Sequence, residues 1–285
     1  MLPAVNTKII ATLGPASSSR EILEKLMCAG VNVFRLNFSH GDYSFFSELI
    51  HNIRDISQKK CLDIPIIQDL QGPKIRLNKF TKEMTIVAGQ TLELSMCKDM
   101  DDNSEQICIT YLGLDKEVKS GQRILIDDGN IELKIIGTSK NKIQTKVQKG
   151  GKLKPRKGVN LPDTKLSLPS LTQKDIKDLE FGAKQKVDYV ALSFVRSKKD
   201  VLELKHYLKK FKLDAGVISK IEKPEALIDI EAIIEESDAI LIARGDLGVE
   251  INLEQVPSVQ RKIINLCREK KTPVIVATQM LETMT

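Results

Sequence analysis

The stretch AGVISKIEKPEALIDIEAIIEESDAILIARGDLGVE, residues 215–250, decides the fold. It opens on an apolar run, 215–221, rich in Val and Ile. A second run follows at 238–243. Between them Leu227, Ile230 and Ile234 share one face at helical spacing, and Pro224 suits a first helical turn. Nearly continuous apolar runs of this length read as strands buried on both faces of a parallel sheet. Strand, helix and strand in that order make a right-handed βαβ unit.

The same grammar extends outward. Further runs lie at 7–13, 31–38, 64–70, 187–195 and 273–277, which makes seven. Helical faces lie between most of them: Ile22, Leu23, Leu26 and Met27; Val201, Leu204, Leu208 and Phe211; Val259, Ile263 and Leu266. Ser18 with Glu21, and Thr172 with Asp175, fit capping boxes, and Pro257 suits another first turn. From about Pro73 to Ser167 no helix is expected. Short strand-like runs at 84–87, 91–95, 106–111, 123–126, 131–136 and 142–147 are punctuated by Gly89, Gly121, Asp128-Gly129 and Gly150-Gly151. The expected organisation is therefore an α/β barrel domain, 1–72 and 168–285, interrupted by an all-β domain, 73–167.

Every α/β strand ends in polar residues. The first ends in Gly14-Pro15, and the second carries Arg35, Asn37, Ser39 and His40. The third ends in Asp69, the fourth in Ser193 and Arg196, and the fifth in Lys220 and Glu222. The sixth ends in Arg244, Gly245 and Asp246, the seventh in Thr278 and Gln279. Parallel α/β folds bind ligands at the carboxyl ends of their strands. No G-x-G-x-x-G follows the first strand and no Gly-Lys-Ser/Thr exists, which argues against a Rossmann sheet and a P-loop. Polar ends on all seven strands favour a (β/α)8 barrel.

Composition narrows the classes. Of 285 residues, 41% are hydrophobic and 29% charged, which is globular and not disordered or coiled-coil composition. No run of about 18 apolar residues suggests a membrane span, and the N-terminus does not resemble a secretory signal. The chain is expected to be cytoplasmic. Five scattered cysteines without a CxxC pair argue against disulfides and zinc fingers, and read as small buried hydrophobes. A net charge of +6 suits an anionic substrate. With no Trp and 4% aromatics, nucleic-acid binding by base stacking is not expected.

Lys220 and Glu222, two apart on one strand, point to the same side. Asp246 is read at the equivalent place on the next strand. Two carboxylates without His or Cys make a hard oxygen site suited to Mg²⁺ or Mn²⁺. Gly245 lets a ligand approach the backbone. With Arg35 across the site, a phosphoryl or carboxylate substrate is suited. A structural ion-pair network among the same residues remains the alternative. His40 reads either as a general base or as a structural residue, and His51 and His206 as solvated. The basic stretch Lys149, Lys152, Lys154, Arg156, Lys157 reads as a solvated hinge, from which Lys157 could reach a phosphate.

The segments ATLGPAS (11–17), VFRLNFSHG (33–41), QDLQGPKIR (68–76), DDG (127–129), KGVNLP (157–162), SKIEKPEAL (219–227), ARGDLGVE (243–250) and VATQMLETM (276–284) resemble, in order, those of the pyruvate kinase family. The resemblance implies a (β/α)8 barrel carrying a β-barrel lid. It implies phosphoryl transfer from phosphoenolpyruvate to ADP, giving pyruvate and ATP. Lys220 matches the residue stabilising the transferring phosphoryl group, and Arg35 the one gripping it. Glu222 and Asp246 match Mg²⁺ ligands. Gly245 and Thr278 match substrate-binding positions, Thr278 near the site of enolate protonation. Asn37, Phe38, Ser39, His40, Arg76 and Lys157 match nucleotide-contacting positions. Asn37, Ser39, Asp69 and the Leu70 carbonyl match a K⁺ site. The family forms homotetramers.

Two departures stand out. Lys74 occupies a position where many members carry Glu, so its ammonium is expected to weaken or remove K⁺ dependence. The sequence also stops soon after the seventh strand, so the barrel is expected to be incomplete, with about seven strands, open edges and missing subunit contacts. Two other functions compete at this level: a metal-dependent lyase or aldolase on pyruvate-like substrates, and a non-catalytic fragment that binds a partner.

Overall fold

Among the described residues, seven parallel strands run side by side in sequence order around a curled sheet. The computed structural model describes residues 6–98 and 106–279. In chain order the first elements are β1 (Ile10–Leu13), α1 (Arg20–Cys28), β2 (Val33–Asn37), α2 (Tyr43–Lys60) and β3 (Ile66–Asp69). The chain then leaves the sheet through β4 (Met84–Ile86), β5 (Thr91–Met96), β6 (Cys108–Ile109), α3 (Leu114–Glu117), β7 (Arg123–Ile126), β8 (Ile131–Ser139), β9 (Lys142–Lys149), β10 (Gly151–Leu153) and β11 (Val159–Asn160). It returns through α4 (Gln173–Gln185), β12 (Tyr189–Leu192), α5 (Lys198–Phe211), β13 (Gly216–Ile221), α6 (Pro224–Ile228), α7 (Ile230–Glu235), β14 (Ala239–Ala243), α8 (Arg244–Glu250), α9 (Val256–Glu269) and β15 (Val274–Ala277).

The strands are apolar throughout because both faces are buried, and the faces go to different cores. Val190, Leu192, Val217, Ile240 and Ile242 pack outward under the helices. The alternate residues Ile67, Ala191, Ile218, Leu241 and Ala243 form a separate inner cluster. This is the layered interior of a β/α barrel. Continuing the inner column by two residues reaches Asp69, Ser193 and Lys220, and from Val33 it reaches Arg35 and Asn37. The alternation that builds the apolar floor thus lifts a polar layer above it.

The inserted strands form a six-stranded sheet, β11-β7-β8-β9-β5-β6, beside the pair β10-β4. All neighbours are antiparallel except β5 and β6. They enclose their own core, including Leu77, Ile86, Leu94, Ile124, Leu133 and Ile143.

Several local expectations are corrected. α1 is capped by Ser19, whose hydroxyl accepts from Ile22 N, and not by Ser18. Thr172 and Asp175 do form a capping box. The face Leu227–Ile234 is broken into two short helices at Asp229. The insert holds one helical turn, α3, where none was expected. The basic stretch before Lys157 contains β10, and Lys152 is ion-paired to Glu83 at 2.7 Å. All five cysteines are free, but Cys28 and Cys61 are exposed and only Cys97, Cys108 and Cys267 are buried. Both exposed thiols sit at helix C-termini: Cys28 closes α1, and Cys61 caps α2 at a φ of 53°. Among the described residues no helix is long and apolar enough to cross a membrane.

Candidate active site

Lys220 sits at the bottom of a cleft at the carboxyl ends of the strands. Its ammonium donates to Ser193 Oγ at 2.7 Å and lies 3.0 Å from Glu222 Oε1 and 3.2 Å from Asp69 Oδ1. Burial opposes its charge, but the carboxylates of Glu222 and Asp69 outweigh that penalty and hold the ammonium above its ordinary range. Glu222 is 1% exposed. Burial raises its carboxyl above the usual range; Lys220 opposes the rise and the Asp246 charge adds to it. The second Glu222 oxygen accepts from Phe194 N at 2.8 Å.

Asp69 joins two cations. Its Oδ2 accepts from Arg35 Nε at 2.8 Å, while Oδ1 faces Lys220. Arg35 also donates to Thr12 Oγ1 at 2.9 Å, which fixes the plane of its guanidinium. The cleft, about 140 Å³, is lined by Arg35, Asn37, Ser39, Asp69, Leu70, Gln71, Lys74, Ser193, Phe194, Lys220, Glu222 and Asp246. Three cations and three carboxylates therefore share one space.

Asp246 is not on a strand. β14 ends at Ala243 and Asp246 lies in the first turn of α8, from which it still lines the cleft. Its Oδ1 is 3.9 Å from Lys74 Nζ. Lys74 and Asp246 also line a neighbouring cavity of about 40 Å³ that reaches under Val159–Leu161 of the insert.

Gly245 and Thr278 meet each other: Gly245 N donates to Thr278 Oγ1 at 3.0 Å, and that hydroxyl donates to Ala277 O at 2.7 Å. Thr278 is exposed, at a φ of 63°. Residues 280–284 of the VATQMLETM segment lie outside the described residues. Leu70 offers its carbonyl to Ser193 Oγ at 2.7 Å. Ser39 N donates to Asn37 Oδ1 at 3.0 Å, closing the turn that follows β2. Phe38 turns its ring into the core, stacked on Phe46 with centroids 4.2 Å apart, so only its backbone faces the turn. His40 is exposed, as are His51 and His206.

Arg76 and Lys157 do not line the cleft. They lie on paired segments of the insert, where Arg76 bridges to Gly158 and donates to Arg156 O at 3.3 Å. Lys157 Nζ is 2.7 Å from Asp127 Oδ1.

The insert is tied to the barrel by polar contacts. Asn160 Nδ2 donates to Glu250 Oε1 at 2.7 Å, and Lys223 Nζ donates to the same oxygen at 2.6 Å. Arg196 donates to Leu166 O at 3.1 Å and Leu168 O at 2.7 Å. On the barrel side of the junction, Gly72 N donates to Asp175 Oδ1 at 3.1 Å. Gln71 and Phe194 are cleft residues that were not singled out from sequence, whereas Ser193 was read as a polar strand end and does line the cleft. For Ser193 a signal existed: it lies two residues beyond inward-facing Ala191.

The donor chemistry fits a small hard dication. Burial raises the Glu222 carboxyl and the charge of Asp246 adds to the rise, and both side chains are oxygen donors. Asp69 lines the same cleft, but among the described residues no three His, Cys, Asp or Glu side chains are grouped so that they could hold a metal ion together. That arrangement matches Mg²⁺ practice, in which one or two carboxylates bind and substrate oxygens and water complete the shell.

A family model described as "Pyruvate kinase, barrel domain" matches residues 4–285. The chain is 45% identical over 282 residues to the pyruvate kinase of Bacillus licheniformis, covering 98% of this chain and 48% of that protein. It is 44% identical over 280 residues to that of Thermotoga maritima, covering 98% and 60%. With the enzyme of Corynebacterium efficiens it shares 43% over 279 residues, covering 98% and 59%. The chain thus spans about half to three-fifths of the length of these curated relatives.

Proposed function

The chain belongs to the pyruvate kinase family, and from that premise we propose that its cleft transfers the phosphoryl group of phosphoenolpyruvate to ADP. The P–O bond to the enol oxygen breaks and a P–O bond to the terminal oxygen of ADP forms. The enolate left behind takes a proton on carbon and becomes pyruvate. The observation that carries the reading is the convergence of Arg35, Lys220, Glu222 and Asp246 on one cleft at the strand ends.

Phosphoryl transfer asks mainly for positioning and charge neutralisation. Arg35, held by Asp69 and Thr12, would grip the phosphoryl oxygens. Lys220, charged and fixed by three acceptors, would stabilise the group in flight. Glu222 and Asp246 would hold Mg²⁺ or Mn²⁺, which when bound neutralises charge on the phosphoryl oxygens. Gly245 and Thr278 would contact the substrate, with Thr278 near the carbon that is protonated. The turn Asn37, Phe38, Ser39 and His40, together with Arg76 and Lys157, would meet the nucleotide. Asn37, Ser39, Asp69 and the Leu70 carbonyl would form the K⁺ site, with the Lys74 ammonium supplying monovalent charge beside it.

The insert, 73–167, would act as a lid that excludes water, so that ADP and not solvent accepts the phosphoryl group. The same reading expects a cytoplasmic enzyme. The test is pyruvate formation by the purified 285-residue chain, followed by coupling to lactate dehydrogenase. Pyruvate should require phosphoenolpyruvate, ADP and a divalent cation together, and should be lost in Lys220→Met. Pyruvate released without ADP would instead support a lyase. A chain that neither forms pyruvate nor binds phosphoenolpyruvate would overturn the proposal.

A further inference from the structure

We propose that Lys174, on the first turn of α4, is a positioning residue that holds the 37–40 turn through the Phe38 carbonyl. This rests on the reading that the turn meets the nucleotide. A lysine is a poor choice at this place for the helix itself, because a cation near a helix N-terminus opposes the macrodipole. Its contacts give the reason. Lys174 Nζ donates to Phe38 O at 2.7 Å and to Asp178 Oδ2 at 2.6 Å. Asp178 is fully buried, and its other oxygen accepts from Tyr43 OH at 2.7 Å. The carboxylate is thus engaged on both sides and fixes the ammonium under the turn.

Phe38 is the pivot of that turn. Its ring is stacked on Phe46, and its N–H donates to Asp69 O at 2.9 Å. Its carbonyl goes to Lys174. With all three parts held, its neighbours Asn37 and Ser39 are presented to the cleft. On the outer side, a cavity of about 210 Å³ flanks the turn, and Lys174 and Asp178 form part of its wall beside Phe38, Gly41, Asp42 and Tyr43. That space gives the backbone beyond Phe38 room to move, and the bond from Lys174 to the Phe38 carbonyl is the restraint on that side, beside the Phe46 ring and the Asp69 carbonyl. Arg35 and Lys220, which would bind phosphoenolpyruvate, belong to the strands and need no help from α4.

The experiment measures binding of ADP and of phosphoenolpyruvate separately, by calorimetry in Mg²⁺, to the full chain and to its Lys174→Met and Lys174→Arg variants. Lys174→Met should weaken ADP about tenfold, equivalent to about 1.4 kcal/mol, and leave phosphoenolpyruvate within about twofold, as expected for the loss of one charged hydrogen bond. Lys174→Arg, which can still donate to the carbonyl, should recover most of the loss. Unchanged ADP affinity in Lys174→Met overturns the proposal. So does equal weakening of both ligands, which marks a general structural role. Failure of the unaltered chain to bind ADP overturns the nucleotide reading of the turn and this inference with it, and is recognised by its appearance before any substitution.

Discussion

Lys223 and Glu250 close an ion pair of 2.6 Å one residue beyond Glu222 and one helical turn beyond Asp246. The two elements that offer carboxylates to the cleft are thus stapled together just outside it. Asn160 of the insert joins the same Glu250 oxygen, so the insert is attached to the staple.

Breaking this pair from one side should be costly, because Glu250 is only 2% exposed at its side chain. Lys223→Met leaves a buried carboxylate with the Asn160 amide as its remaining partner. The expected loss is about 3 kcal/mol, the usual range for an orphaned buried charge. Denaturant midpoints check it, and the double variant Lys223→Met/Glu250→Leu should recover part of the loss.

Lys74 makes K⁺ dependence measurable. Initial rates of pyruvate formation with and without K⁺, at constant ionic strength, should differ little for the unaltered chain. Lys74→Glu should make the rate respond to K⁺. Large K⁺ activation without the substitution would sink the assignment of Lys74.

Gly72 has a φ of +67°, and a Cβ there would stand 2.9 Å from the Phe194 ring and 3.0 Å from Ser193 Cβ. Both neighbours line the cleft. Gly72→Ala should destabilise by about 1–3 kcal/mol from backbone strain and lower catalysis through Ser193. An unchanged melting temperature would falsify this account of the glycine.

Burial and the hydrogen bond to Asp178 push the Tyr43 hydroxyl up to about 12, from 10.0. The neutral phenol is favoured in the folded chain. Its contribution to stability is therefore whole below pH 10 and is lost as pH rises through about 12. Burial likewise pushes Tyr111, bonded to Glu117, up to about 12. Ultraviolet titration should show both phenols ionising late, and Tyr43→Phe should remove one and flatten the alkaline loss of stability.

Of the five thiols, Cys28 and Cys61 should react promptly with an aromatic disulfide reagent. Cys97, Cys108 and Cys267 should react only on unfolding. Burial pushes the Cys267 thiol up to about 11, which slows it further because the thiolate is the nucleophile.

The seven strands were legible because each is buried on both faces and leaves an unbroken apolar run. Lys220 and Glu222 were legible because a strand has period two. Asp246 was placed on the wrong element, since Arg244-Gly245-Asp246 follows the apolar run directly and was read as its polar end, whereas the chain turns into α8 at Arg244. The cap of α1 was missed by one residue because Ser18 and Ser19 offer the same hydroxyl. Asp69 was found as a polar strand end, but its joining of Arg35, on the adjacent β2, to Lys220, on β13 beyond β12, depends on how distant stretches of sequence are brought together in the sheet. Periodicity within one element carries no such information. Lys174 and Glu250 escaped for the same reason: each lies on a helix whose pattern reports its apolar face and not the polar groups that reach across to another element.

The bond from Gly72 N to Asp175 has a wider consequence. Gly72 is where the chain departs from the barrel, and Asp175 caps the helix on which it comes back. The insert hangs from a doorway whose two posts touch. A short linker joining the posts would therefore leave the barrel's loop-closure entropy nearly unchanged. Insertion at adjacent ends is also how one domain is most readily accommodated inside another. The insert could be exchanged for one of different size or charge without redrawing the barrel.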